Sequence, residues 1–172
     1  NKNKITQLLI DSDGVAGIVY VDNFYFYKAS SASTFDDGLL TNGDFEAGSE
    51  AWLVGVDDNS AAPVVTVSGN TYYSFNVTNA GNPYDVNMSQ KVEIIDGNTY
   101  TLTFDAWSDT NRPIIAGVGL SASPWSNTTE TVNLTTTRTT YSVTVAASGY
   151  GAPDARVIFD LGAATGLVNI DN

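Results

Sequence analysis

The chain has 172 residues, 42% of them hydrophobic and 11% aromatic, which is enough to bury one good core, and it carries a net charge of -12 with only seven Lys plus Arg. That balance argues against nucleic acid or an anionic membrane surface as partner, because both need a basic footprint. With no cysteine and no histidine, disulfides, thiolate chemistry, Ser-His triads and histidine-ligated zinc are excluded, leaving carboxylate acid/base hydrolysis or a hard cation held through oxygen.

Period-2 alternation rich in Val, Ile, Thr, Tyr and Phe dominates, and no stretch keeps helical spacing for more than a turn or two. In chain order the alternation predicts strands over 5–11, 17–28, 64–67, 72–77, 86–95, 99–108, 114–120, 130–134, 139–146, 155–161 and 167–170. Turn chemistry separates them at Asp13-Gly14, Ser68-Gly69-Asn70, Asn79 to Pro83, Asp96-Gly97-Asn98 and Ser148-Gly149. Short strands at this spacing predict an all-β sandwich of two antiparallel sheets. No apolar run approaches the ~20 residues that cross a bilayer, and Asn1-Lys2-Asn3-Lys4 opens no long apolar segment of signal-peptide type.

Gln7–Asn23 aligns without a gap to Arg156–Asn172, 149 positions later, with Asp11, Gly17, Val19, Asp22 and Asn23 recurring as Asp160, Gly166, Val168, Asp171 and Asn172. The pattern reads as a slice of a tandem array: residues 1–28 as the last two strands of a preceding similar module, or a strand pair completing this one; 29–38 as a small, polar linker; 39–172 as the main module. Chance similarity between two G-x-V-x-x-D-N strands is the alternative. Within 99–108, parity puts Leu102, Phe104 and Ala106 on the core side and Thr101, Thr103, Asp105 and Trp107 on the other. An outward Trp107 either meets a ligand or packs under a loop.

Thr41-Asn42-Gly43-Asp44-Phe45-Glu46 with Trp52 close behind, then Gly97-Asn98-Thr99-Tyr100-Thr101-Leu102-Thr103-Phe104-Asp105-Ala106, then Gly166-Leu167-Val168-Asn169-Ile170-Asp171-Asn172 follow one another at module length. In that order and spacing they resemble the family 4/9 carbohydrate-binding modules, with family 16 and 22 modules as looser relatives. The resemblance covers about residues 39–172 and implies a jelly-roll sandwich, a noncatalytic role, and an extracellular setting on a secreted polysaccharide-degrading enzyme. It implies polysaccharide as partner, a β-glucan such as laminarin or a xylan.

A jelly roll brings the first and last strands together, so Glu46 and Asp171 would repel unless a cation sat between them. The resemblance implies a structural calcium there, with Glu46 and Asp171 as ligands and oxygens near Asp44 and from the Ser68-Gly69-Asn70 turn filling the shell. The alternative is that both are turn carboxylates capping amides. For the sugar, Tyr84 and Asn87 match the loop and strand that carry a cleft aromatic and a polar partner in family 4, and an aromatic plane beside an amide suits a pyranose. Trp125, in the Ser121 to Asn127 loop, is the candidate for the opposite wall. Gln90 matches a glutamine common in the family but shares parity with Met88 and Val92, so it is either ligand or structure; Arg112 either donates to sugar hydroxyls or pairs with Asp105 or Asp109.

Two rival functions remain at this level. An enzyme would need paired carboxylates on one cleft wall, for which Asp85, Asp105 and Asp109 are the candidates. A structural or adhesive tandem repeat would bind no sugar and would exchange strands head to tail with a neighbouring module, the Phe24–Lys28 run being the natural donor.

Overall fold

The computed structural model describes residues 38–56 and 64–172. The expected strands at 5–11 and 17–28, the first copy of the repeat and nearly all of the 29–38 linker therefore lie outside the described residues. Ten strands are described: β1 (Leu53–Gly55), β2 (Val64–Val67), β3 (Asn70–Val77), β4 (Asn87–Lys91), β5 (Thr99–Ser108), β6 (Arg112–Gly119), β7 (Asn127–Leu134), β8 (Thr139–Ala146), β9 (Arg156–Asp160) and β10 (Gly166–Asp171). They form two antiparallel five-stranded sheets of a jelly-roll sandwich, ordered β1-β4-β9-β6-β7 in the first and β2-β3-β10-β5-β8 in the second. The remaining element is one short 3-10 turn, Pro83–Asp85.

The alternation in the sequence sets which face each residue takes. Phe75, Val77, Phe104, Ala106, Val168 and Ile170 point inward from the second sheet, and Met88, Ala116, Val118, Val157 and Phe159 from the first. Phe104 meets Phe159 edge-to-face at 4.9 Å across the sandwich, and Phe45 contacts both Trp52 (5.3 Å) and Tyr73 (5.0 Å). Each such ring buried fully contributes roughly 1.5–3 kcal/mol from area alone, so this aromatic cluster joins the sheets and fixes the 42–52 segment to them. Trp52 and Tyr73 are core residues; Trp52 Nε1 donates to the Asn42 carbonyl at 2.9 Å.

The β2–β3 hairpin closes through Ser68 and Gly69, both at positive φ (54° and 85°). A two-residue loop needs that left-handed pair to match the strand twist. It sets the register Val67↔Asn70 and delivers Asn70 and Thr71 to the point where β10 ends.

Candidate binding face

The outer face of the first sheet is read directly from its register. One row runs Gly55, Asn87, Asp160, Ile115, Thr131; the next runs Leu53, Ser89, Ile158, Gly117, Thr129; the third begins Lys91, Arg156, Gly119, Asn127. Ile158 faces away from the core yet is only 3% exposed, and Ser89 beside it is also buried, so the middle of this face is a recessed floor. Gly117 and Gly119 help to make it. A Cβ on Gly117 would meet the Thr128 carbonyl oxygen and Thr129 Cα, and one on Gly119 would meet Ile158 Cδ1 at 2.9 Å. A strand glycine of this kind marks close backbone approach.

Two segments carrying exposed aromatic residues, the 3-10 turn and the 121–127 loop, lie at opposite ends of that floor. Tyr84 is 63% exposed on the 3-10 turn at the Asp160 end, where Gly162 N donates to Pro83 O. Asn87 donates its side-chain amide to the Tyr84 carbonyl at 2.7 Å, fixing the turn to β4. Trp125 is 54% exposed at the Arg156 end. It sits at positive φ (62°), a strained conformation for a bulky residue, held by Trp125 N donating to Ala122 O and by the Asn127 amide donating to Trp125 O. The Arg156 guanidinium lies over the indole, 5.6 Å from its centroid. The strand between the two ends, Arg156 to Asp160, spans about 13 Å at strand rise. Burial pushes the Asp160 carboxyl above its usual range, with the Arg156 charge opposing.

Asn87 therefore lies on this face, with the Tyr84 backbone tied to it at one end and the Trp125 ring beside Arg156 at the other, whereas three other sequence candidates do not join them. Gln90 is 4% exposed and turned into the sandwich, where Nε2 donates to Thr41 O and Oε1 accepts from Thr41 N, both at 2.8 Å. Its amide is used up in tying the 38–43 segment to β4, so it corrects to a structural residue. Arg112 is likewise buried: it donates to the Gly166 carbonyl at 3.2 Å and to the Leu161 carbonyl, clasping the β9–β10 connection. Its nearest charge is Asp109, while Asp105 is taken by Arg138. Trp107 does point outward, but from the other sheet. There it packs edge-on to Tyr72 at 4.8 Å under the Arg138 guanidinium, 5.1 Å from the ring centroid, so packing accounts for it.

At the meeting of the module's ends, Glu46 accepts from Thr71 N at 3.0 Å and Asp171 accepts from the Asn70 amide at 2.8 Å, consecutive residues of β3. Asp44 stays local, its carboxylate accepting from Glu46 N at 3.4 Å. The oxygen chemistry suits calcium, but Arg138 already pairs with Asp171 at 2.8 Å, so a metal would have to displace the guanidinium from that carboxylate. Among the described residues no group of three or more His, Cys, Asp and Glu forms a metal cluster. The carboxylates considered for hydrolysis are scattered: Asp85 caps its own turn by accepting from Asn82 N, Asp105 faces out of the second sheet, and Asp109 accepts from Leu167 N.

Sequence reasoning missed Lys91, Ser89, Arg156, Ile158 and the two glycines. Their only sequence signal is alternation in Arg156–Asp160 and glycine inside a strand pattern; their common face appears once the register is known.

The comparisons with known proteins agree with this architecture. No curated protein sequence matches the chain. A solved structure described as "CBM4 structure and function" is 25% identical, with 76% of this chain and 94% of that one covered and a TM-score of 0.61. The second N-terminal cellulose-binding domain of Cellulomonas fimi β-1,4-glucanase C is similar at 22% identity, 77% and 89% coverage and TM-score 0.62. A family 61 module, TmCBM61, solved with β-1,4-galactotriose is similar at 20% identity, 77% and 93% coverage and TM-score 0.51. The family model CBM_4_9, described as "Carbohydrate binding domain", matches residues 37–166. The chain belongs to that carbohydrate-binding domain family.

Proposed function

We propose that this chain is a noncatalytic module that binds a β-glucan or xylan chain along the recessed face between Tyr84 and Trp125, and that it holds a secreted polysaccharide-degrading enzyme on its substrate. The observation that carries this reading is the pair of exposed rings at the two ends of one buried floor, with Asn87 beside the first. Sugar rings stack on aromatic planes while their hydroxyls take amides and carboxylates at the rim. Affinity electrophoresis of the intact chain in laminarin, xylan, mannan and soluble-cellulose gels tests it; retarded migration in at least one is expected, and unchanged mobility in all four overturns the reading.

Calcium enters as part of the same proposal. Glu46 and Asp171 would hold the ion, with Arg138 displaced from Asp171, and it would pin the first and last strands without taking part in sugar binding.

One observation favours the alternative of a tandem structural or adhesive repeat. β10 pairs with β5 only from Val168↔Ser108 to Asp171↔Asp105, so Thr99–Phe104 has no ladder partner on that side among the described residues. A hollow of about 520 Å³ lined by Leu40, Ile94, Tyr100, Leu102, Val118 and Val157 opens beside it. A strand of a neighbouring module would pair there. Concentration-dependent association without glycan affinity would favour that alternative over the lectin-like role.

A further inference from the structure

The described part of this strongly acidic chain holds only four basic side chains: Lys91, Arg112, Arg138 and Arg156. Arg112 is spent on two carbonyls and Arg138 on two carboxylates. The other two stand directly opposite each other on neighbouring strands, Lys91 on β4 and Arg156 on β9, with their side chains on the recessed face at the Trp125 end.

Like charges directly opposite in a ladder destabilise it, and nothing nearby compensates the pair fully. Lys91 has one loose partner, Asp154 at 3.9 Å, both side chains being more than half exposed, so the contact is screened. The Nε of Arg156 is buried without a hydrogen-bond partner, while its guanidinium carbon lies over the exposed indole, 5.6 Å from the ring centroid. Asp160 shares the face but lies four residues along β9, at the Tyr84 end. Opposite Arg156 on its other side is Gly119, which brings no side chain and so no counter-charge to that flank, its Cβ position being closed off by Asn127 and Ile158.

We propose that the Trp125 end of the cleft receives the carboxylate of a uronic-acid residue, accepted by Arg156 and Lys91 while the sugar ring rests against Trp125. A planar carboxylate matches the fork of a guanidinium, and an ammonium opposite supplies a second, adaptable donor. The rest of the molecule narrows the substrate class. A net charge of -12 repels a densely charged polyuronate. The fitting ligand is a neutral backbone with sparse uronate substituents, of which glucuronoxylan is the accessible example.

This inference rests on the cleft reading above, and the experiment separates the two. The intact chain is titrated with glucuronoxylan and with the same polymer after reduction of its carboxyl groups to alcohols, at low and high salt. The native polymer is expected to bind about tenfold more tightly, the effect of one or two charge-assisted hydrogen bonds, and the ratio is expected to narrow as salt rises. Lys91→Gln and Arg156→Gln, each checked by thermal melting, are both expected to move the ratio towards one, and Arg156→Lys to restore part of it. Equal affinity for native and reduced polymers overturns the uronate inference alone. Failure to bind either polymer or any neutral glucan overturns it together with the cleft reading.

Discussion

Asp105 and Asp171 stand directly opposite each other across the β5–β10 ladder and share a single guanidinium, that of Arg138, at 2.9 and 2.8 Å. Their surroundings drive them apart in acidity. For Asp105, burial alone would raise the pKa, but hydrogen bonds from Thr140, Arg138 and Asn172 together outweigh it and lower it. Asp171, only 1% exposed, is raised because desolvation outweighs Asn70 and Arg138. Arg138→Gln would leave two facing carboxylates with no counter-charge. Because Arg138 is itself partly solvent-exposed, the expected loss is about 1–3 kcal/mol at neutral pH rather than the full cost of a buried pair. The loss should shrink in acid, since protonating Asp171 removes the uncompensated charge. Urea unfolding of both proteins at neutral and acidic pH checks this; an equal difference at both pH values would refute it.

If calcium binds as proposed it would compete with Arg138 for Asp171, which makes the metal proposal measurable. Adding calcium to chelator-treated protein is expected to raise Tm, and Arg138→Gln is expected to bind the ion more tightly than the unmutated chain because its competitor is gone. Glu46→Gln should abolish the increase. A Tm indifferent to calcium in both proteins would leave the guanidinium as the sole cation at this junction.

Tyr84→Ala and Trp125→Ala are each expected to weaken glycan binding by roughly 1–3 kcal/mol, the scale of an anchoring aromatic, with Tm nearly unchanged because both rings are exposed. Trp107→Ala provides the contrast. It removes the packing against Tyr72 and Arg138, so it should lower Tm while leaving affinity unaltered. Affinity electrophoresis with parallel melting curves separates these outcomes; loss of affinity from Trp107→Ala would move the binding surface to the second sheet.

The fold is legible in the sequence wherever alternation is strict. The expected bounds 99–108 and 139–146 coincide with β5 and β8, because Thr and Ser outside and Leu, Phe, Val and Tyr inside leave one workable register. β1 is missed because three residues, Leu53 to Gly55, cannot show a period. The expected 86–95 strand ends early at Lys91, with Ile94 making only an isolated bridge to Ala152. Tyr84 and Asn87 are legible as a candidate pair because they are neighbours in sequence, and the Asn87 amide does reach the Tyr84 carbonyl. Lys91 and Arg156 are not, because they meet only through the β4–β9 register. Trp107 shows the limit of parity: alternation says that it points outward, but not to which of the two outer faces it belongs.

Gly55 offers a test of how Tyr84 is positioned. A Cβ there would come within 2.7 Å of the Asn87 amide nitrogen, the far end of a side chain that can swing aside. Gly55→Ala should therefore cost little stability but break the Asn87 to Tyr84 hydrogen bond, weakening glycan binding by about 1 kcal/mol, the net worth of one such bond. Asn87→Ala should produce a similar loss, and the double variant should add little to either single change, since both act on the same contact. Additive losses would show that Asn87 touches the glycan itself.

Asp160 lies on the outer face of the first sheet, and its pKa is raised by burial, with Arg156 opposing. The folded state thus holds its proton more tightly than the unfolded chain does. Its contribution favours folding below the unfolded carboxyl pKa and is lost as pH rises through the folded value, so at neutral pH the ionised group is a cost. Asp160→Asn is expected to raise the urea midpoint at pH 7 and to bring no gain at pH 3, where both states are protonated. The same substitution removes the negative charge that opposes Arg156 on this face, so it should also increase affinity for glucuronoxylan relative to its carboxyl-reduced form. A gain in stability at pH 7 without that change in selectivity would mean that Asp160 and the uronate site are electrostatically independent, whereas a loss of stability would show that Asp160 pairs with Arg156 more strongly than its burial opposes.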